Sequence, residues 1–455
     1  MKDIDAPTTL HDAWNIRLAH EADKVAVIEA ATGRTVTMRE LESLSSKWLR
    51  QLPPSRTLLY RRVLLALPSS VDWLSAFLAL QALGACAVLV DAETPPARIT
   101  QLADDLKVAA VITKEGVEAR DDSPRLRQPY ALMKLTSGST GQPKPLAFSS
   151  AQMVADYRHI KAAMGLTPQD RHYAALPLGH SYALGNLVLP LLVDGATLVL
   201  ASQIFPQAMR EDFRRFEPTV FPAVPTMLRA LGQTEGERAD FASLRLIITA
   251  GAPLAPADAD AFHAVSGLWP HTFYGSSETG GITYDAEGEG TRTGTHLGQP
   301  LPGVKVGLNR QGRVRVTSPA VGCFTGSRQV DDTTRAYTLP DLGQWDDEGH
   351  LRLLGREADW VKIGGRRVST VAVARIVRDH PGVTEAVCLV REGRRAELEL
   401  ILVYEGGASP EDLRPWLEAH LPRWQRPRRL HQLAQFPVNA RGKVDRQALE
   451  ELLEA

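Results

Sequence analysis

Residues 135–145 read Leu-Thr-Ser-Gly-Ser-Thr-Gly-Gln-Pro-Lys-Pro, a run so dense in glycine and hydroxyl side chains that it specifies a loop able to wrap a polyphosphate. Its glycines let backbone N–H groups converge on an anion, its hydroxyls add donors, and Lys144 adds a mobile positive charge. It is not a Walker loop, because Gly141 is followed by Gln142 and Pro143 before Lys144 instead of leading straight into Gly-Lys-Ser/Thr. A flexible linker is the competing reading. Linkers, however, rarely sit between apolar segments such as Tyr130–Met133 and Leu146–Phe148.

A chain of 455 residues exceeds one ordinary core, so two or three structural units are expected. Its 52 basic and 53 acidic side chains nearly cancel, which leaves no strong field to draw in nucleic acid or a membrane surface and favours a small polar or charged substrate. Cys86, Cys323 and Cys388 are odd in number, far apart and form no Cys-x-x-Cys, which argues against a disulfide framework or a zinc site. Together with an acidic N-terminus lacking the basic and apolar regions of a secretory signal, this predicts a cytoplasmic protein.

Trp73 to Val90 carries no formal charge and is about as long as the shortest membrane spans. Ser75, Gln81 and Gly84 interrupt it, and Asp72 and Asp91 bracket it, so a helix ending near Gly84 and a buried strand Ala85–Val90 are expected instead, with no membrane span. Leu184 to Leu200, interrupted by Pro190, Asp194 and Gly195, reads as helix, turn and strand. Short apolar runs such as Val63–Leu67, Val108–Ile112, Thr197–Leu200 and Leu244–Ile248 alternate with amphipathic segments of helical length, the rhythm of an α/β fold with helix-covered sheets. After about Gly294 the pattern turns β-rich. From about Asp359 a small α+β unit begins, with strands Ala386–Val390 and Leu398–Tyr404 and a helix Glu411–His420. The expected organisation is a large N-terminal domain, 1–357, that includes the β-rich subdomain, and a small mobile C-terminal domain, 358–455.

Four motifs follow the loop in order: Phe273-Tyr274-Gly275-Ser276-Ser277-Glu278-Thr279-Gly280, Asp341-Leu342-Gly343, Gly355-Arg356 and Gly442-Lys443. In combination they resemble the adenylate-forming superfamily, which contains acyl- and aryl-CoA synthetases, amino-acid-adenylating domains and firefly luciferase. The resemblance runs from about Trp14 to Leu449. It implies an ATP-dependent acid–thiol ligase: a carboxylate attacks the α-phosphorus of ATP and expels pyrophosphate, and the acyl group then passes to a phosphopantetheine thiol of CoA or an acyl carrier protein.

By the same resemblance Thr136, Ser137, Gly138, Ser139, Thr140, Gly141 and Lys144 hold the β- and γ-phosphates. Glu278 offers a hard oxygen ligand to Mg²⁺, and Thr279 donates to the α-phosphate. Tyr274 stacks on adenine with Gly275 leaving room, supported by Thr272 and by the small residues Gly251 and Ala252. Asp341 and Arg356 take the ribose hydroxyls. Lys443 bridges the substrate carboxylate and the α-phosphate until the C-terminal domain rotates. Gly364 and Gly365 then line the thiol channel.

For the acid itself, His180 stands where amino-acid-adenylating relatives place an aspartate against the substrate ammonium, and a neutral imidazole cannot offset that buried charge. With Gly280, Gly281, Ile282, Ala223 and Val224 expected to surround an apolar cavity and Thr249 expected beside the acyl group, the reading favours an aromatic or medium acyl carboxylate. Arg423, Arg426, Arg428 and Arg429 form a basic cluster that could meet CoA or a carrier protein, although most charge runs are solvated faces. Departures from the family pattern fall at Leu339-Pro340, Ala358 and the stretch Ser369–Ala374, which lacks the acidic residues often found there; they bear on domain rotation more than on adenylation. Two alternatives stay open: an amino-acid-adenylating enzyme, and a non-catalytic nucleotide-binding homologue.

Overall fold

The computed structural model describes residues 9–121, 123–136, 144–324, 335–356, 360–363, 366–392, 398–438 and 444–453. The chain divides into two compact units, one formed by Met1–Gly307, Arg315–Tyr337 and Trp345–Leu351, the other by Leu308–Val314, Thr338–Gln344 and Arg352–Ala455.

Two large sheets organise the first unit. In the nine-stranded one, Val25–Glu29, Thr197–Leu200, Arg171–Ala174, Val220–Ala223, Leu246–Thr249 and His271–Ser276 run parallel, with antiparallel strands at both edges. Parallel strands need crossovers, and helices Pro206–Phe216, Pro225–Gln233 and Pro256–Ser266 supply three of them, each started by a proline whose missing N–H costs nothing at the first helical position. Their apolar faces meet the sheet in a core built on Phe213, Phe221, Phe241 and Phe262. The seven-stranded sheet has a parallel centre, Tyr130–Thr136, Cys86–Leu89, Arg62–Leu65 and Ala110–Thr113.

The uncharged stretch at Trp73 is a buried helix, Val71–Ala82, followed by the strand Cys86–Leu89, and Trp73 stacks on Phe77 at 5.3 Å. Its residues are apolar all round because nearly all of them are covered by protein. No helix among the described residues is long and apolar enough to cross a membrane. In the second such stretch Pro190 does not end the helix. Leu184–Val188 and Pro190–Asp194 are π-helical, a widened geometry that absorbs the missing proline N–H, and the helix stops only at Gly195, in the left-handed region at φ 70°.

A four-stranded sheet has the order Lys305–Leu308, Arg313–Thr317, Ala336–Trp345, Leu351–Arg356. The second unit contains a hairpin, Trp360–Ile363 with Arg366–Ser369, and a three-stranded sheet of Glu385–Glu392, Leu398–Glu405 and Arg429–Leu433. Helices Thr370–Arg378 and Pro410–His420 cover that sheet over Val377, Leu402, Leu413 and Leu417.

Candidate active site

The glycine-rich segment joins two neighbouring antiparallel strands. Tyr130–Thr136 pairs with Lys144–Ser149 as far as Thr136 opposite Lys144. That pairing pins both ends of the loop, which a free linker would lack. Ser137, Gly138, Ser139, Thr140 and Gly141 lie outside the described residues, as do the side chains of Thr136 and Lys144. Ser149 caps the next helix, Ser150–Met164, through a reciprocal box with Gln152.

Glu278 sits in the tight turn between His271–Ser276 and Gly280–Tyr284. Ser276 Oγ accepts from the N–H groups of Glu278 and Thr279, both at 3.2 Å, and the Gly322 N–H donates to the Glu278 carbonyl at 2.8 Å. The turn is therefore held from inside and from a neighbouring loop. Thr279 is fully buried, with its hydroxyl 3.1 Å from Ser276 Oγ and 3.3 Å from the Gly280 carbonyl. One half-buried carboxylate on such a turn suits an ion such as Mg²⁺, which takes most of its ligands from phosphates and water. Among the described residues no cluster of three His, Cys, Asp or Glu could hold a metal by itself.

Tyr274 is half-buried and opposite Thr283. A Cβ at Gly275 would lie 2.8 Å from the Gly280 carbonyl, so the glycine is required by the close approach of the two strands. Thr272 is tied inward, its hydroxyl 2.7 Å from Thr291 Oγ1 while its N–H donates to the same oxygen. Gly251, at φ +90°, and Ala252 are exposed just beyond strand Leu246–Thr249. Thr249 itself is 1% exposed, and its hydroxyl has no hydrogen-bond partner among the described residues. It ends a parallel strand beside Ala223 and Thr272, where α/β sheets place ligands.

The expected apolar cavity around Gly280 and Gly281 needs correction. The space a Gly280 side chain would take is filled by the carboxylate of Asp156, and that at Gly281 by Leu301 and Phe273, whose ring lies 2.9 Å from the would-be Cβ. Ala223 and Ile282 are themselves fully packed. Glycine serves these positions because other side chains already occupy the room. His180 starts the helix at Ser181, and its Nε2 lies 3.7 Å from Asp91 Oδ2, both side chains about one-third exposed. Nearby, Tyr182 donates to the Ile248 carbonyl at 3.0 Å and tilts against Phe273.

In the second unit Asp341, 8% exposed, accepts from Arg356 Nε at 3.3 Å. Val438 bridges Val444; Lys443, Gly364, Gly365 and Ala358 lie outside the described residues. Part of the basic cluster is committed internally: Arg428 and Arg429 flank the buried Glu399, and Arg426 donates to the Leu421 carbonyl.

Two charged residues of this region escaped the sequence reading. Lys134, in the strand that enters the glycine-rich segment, and Asp156, in the helix that follows it, are each 6% exposed. A lysine breaking the apolar run Tyr130-Ala131-Leu132-Met133 was the available signal; Asp156 looks like any polar position of a helix.

With this geometry the chain also matches a known family over residues 15–130 and 120–315. The chain belongs to the AMP-binding enzyme family. As an adenylate-forming ligase it is 25% identical to the uncharacterized acyl–CoA ligase YhfT of Bacillus subtilis, over 91% of this chain and 92% of that protein. It is 26% identical to a dimodular nonribosomal peptide synthase of the same organism over 85% of this chain, and spans only 18% of that protein. The fold is shared with ATP-bound MatB from Rhodopseudomonas palustris (20% identity, 99% of both chains, TM-score 0.86). It is also shared with the AMP complex of O-succinylbenzoate coenzyme A synthetase from Bacillus subtilis (23% identity, 98% of both chains, TM-score 0.83).

Proposed function

We propose that this AMP-binding enzyme activates an aromatic or medium acyl carboxylic acid and transfers it to the thiol of coenzyme A, with an acyl carrier protein as the alternative acceptor, in the cytoplasm. One carboxylate oxygen forms a bond to the α-phosphorus of ATP, the bond to the bridging oxygen breaks, and pyrophosphate leaves with both electrons. The thiol sulfur then attacks the acyl carbon, loses its proton, and AMP departs. Glu278 would hold Mg²⁺, which supplies positive charge to the phosphate oxygens. Lys443 would bridge the reacting carboxylate and α-phosphate, and Asp341 and Arg356 would take the ribose. In this reading the small unit is the mobile domain, with Gly364 and Gly365 on the thiol path.

The observation that carries the choice of acid is His180. An imidazole beside Asp91 stands where an amino-acid-adenylating enzyme needs an unshared carboxylate for the substrate ammonium. The test is carboxylate-dependent ATP–pyrophosphate exchange across benzoates, cinnamates, fatty acids and amino acids, repeated with CoA or holo-carrier protein to detect thioester. Exchange with aryl or medium acyl acids supports the reading, whereas exchange confined to amino acids overturns it. ATP binding without exchange for any acid points to the non-catalytic homologue.

A further inference from the structure

Helix Ser150–Met164 directly follows Lys144–Ser149, the strand that leaves the glycine-rich segment. Two of its side chains, Gln152 and Asp156, are one turn apart on one face, and both are buried, at 3% and 6% exposure. Asp156 Oδ1 accepts from the Gly281 N–H at 2.8 Å. Gln152 Nε2 donates to the Val321 carbonyl, while its Oε1 accepts from the Ser149 N–H at 2.7 Å. These two backbone contacts bracket the Glu278 turn. Gly281 lies just beyond Glu278 and Thr279, and Gly322, next to Val321, donates its N–H to the Glu278 carbonyl at 2.8 Å. The following residue, Cys323, pairs with Ala147 in the strand that leads into the helix. Strand, helix and the segment 321–323 thus form one frame around the turn.

A carboxylate buried on a helix is costly, and an apolar residue would ordinarily stand there. What Asp156 provides is an acceptor where the strand ladder is interrupted. The pairing of His271–Ser276 with Gly280–Tyr284 shifts register between Tyr274 and Gly275, and such a bulge re-aims backbone groups. Gly280 shows how closely helix and turn fit, because its would-be Cβ falls on the Asp156 carboxylate. We propose that Asp156 and Gln152 are positioning residues of the adenylation site, two arms of one helix that fix the Glu278 turn relative to the strand leaving the glycine-rich segment. This rests on the adenylating reading of Glu278 as the Mg²⁺ ligand. Both residues act through the backbone that carries Glu278.

The test compares the full-length protein with three variants. D156L removes the acceptor at similar volume, and D156N keeps an oxygen for the Gly281 N–H. Q152E keeps the cap on Ser149 but has no proton for the Val321 carbonyl. If the two arms position Glu278, D156L and Q152E lower kcat for pyrophosphate exchange on the order of tenfold, while KM for the acid is unchanged. The Mg²⁺ concentration giving half-maximal exchange rises in both. D156N regains most of what D156L loses. Amide hydrogen exchange over residues 276–281 quickens in D156L and Q152E and returns toward the parental rate in D156N. A lowered Tm with parental Mg²⁺ dependence and parental amide exchange overturns the proposal, as does a D156N variant as impaired as D156L. Where D156L fails to fold, Q152E tests the same frame from its other arm. Amide exchange needs no substrate, so a parental protein inactive toward every acid would count against the functional reading, while the exchange rates still decide whether the two arms hold the turn.

Discussion

Arg356 donates to Asp341 across 3.3 Å, so the two side chains that the motifs assign to the ribose are bonded to each other. The carboxylate is nearly buried and the guanidinium largely exposed, which fixes the carboxylate before any nucleotide arrives. D341N keeps the shape but loses the charge and one acceptor oxygen. It is expected to raise KM for ATP on the order of tenfold, as for a hydrogen bond to a charged group. ATP saturation of pyrophosphate exchange measures this, and an unchanged KM would remove Asp341 from the ribose.

Lys443 is the residue that the Gly442-Lys443 motif assigns to the reacting carboxylate and α-phosphate. K443A should reduce adenylate formation on the order of a hundredfold, the usual scale for losing one charge aimed at the transition state, with ATP affinity by calorimetry little altered. Adenylation at the parental rate would show that this lysine has no part in the first half-reaction.

Gly280 combines φ +71° with a neighbour already in its side-chain space. G280A must displace the Asp156 carboxylate and hold alanine in the left-handed region, costing about 2 kcal/mol in overpacking and backbone strain together. Urea denaturation reads this directly. A variant as stable as the parent would mean that Asp156 can move aside freely.

Asp170 carries a pH signature. Burial raises its pKa, but hydrogen bonds from Arg245 at 2.6 Å, from Thr219 and from the Thr167 N–H outweigh that and hold the carboxyl at about 2. The folded value lies below the unfolded value of about 3.9, so the stabilisation is present above pH ~4 and lost as pH falls toward 2. R245M strands the buried carboxylate and should cost on the order of 3 kcal/mol at pH 7. The gap between parent and variant should narrow between pH 4 and 2 in urea titrations; a gap independent of pH would rule out the ion pair as its source.

Where local structure depends on neighbours in the chain, the sequence was sufficient. The helix and strand within Trp73–Val90, the strands Thr197–Leu200 and Leu398–Glu405, and the motifs around Glu278 and Asp341 could be read because periodicity and turn chemistry are local properties. Tertiary structure decided what fills the space between those segments. Asp156 and Gly281 meet although 125 positions separate them, and His180 meets Asp91 across two sheets' worth of crossovers. A glycine is equally compatible with an open pocket and with a crowded backbone, so Gly275, Gly280 and Gly281 could not reveal from sequence that they are crowded. Lys134 is the same case for charge: its residue type is visible in the chain, but its burial against Phe148 arises only when the strands and their covering helices are brought together.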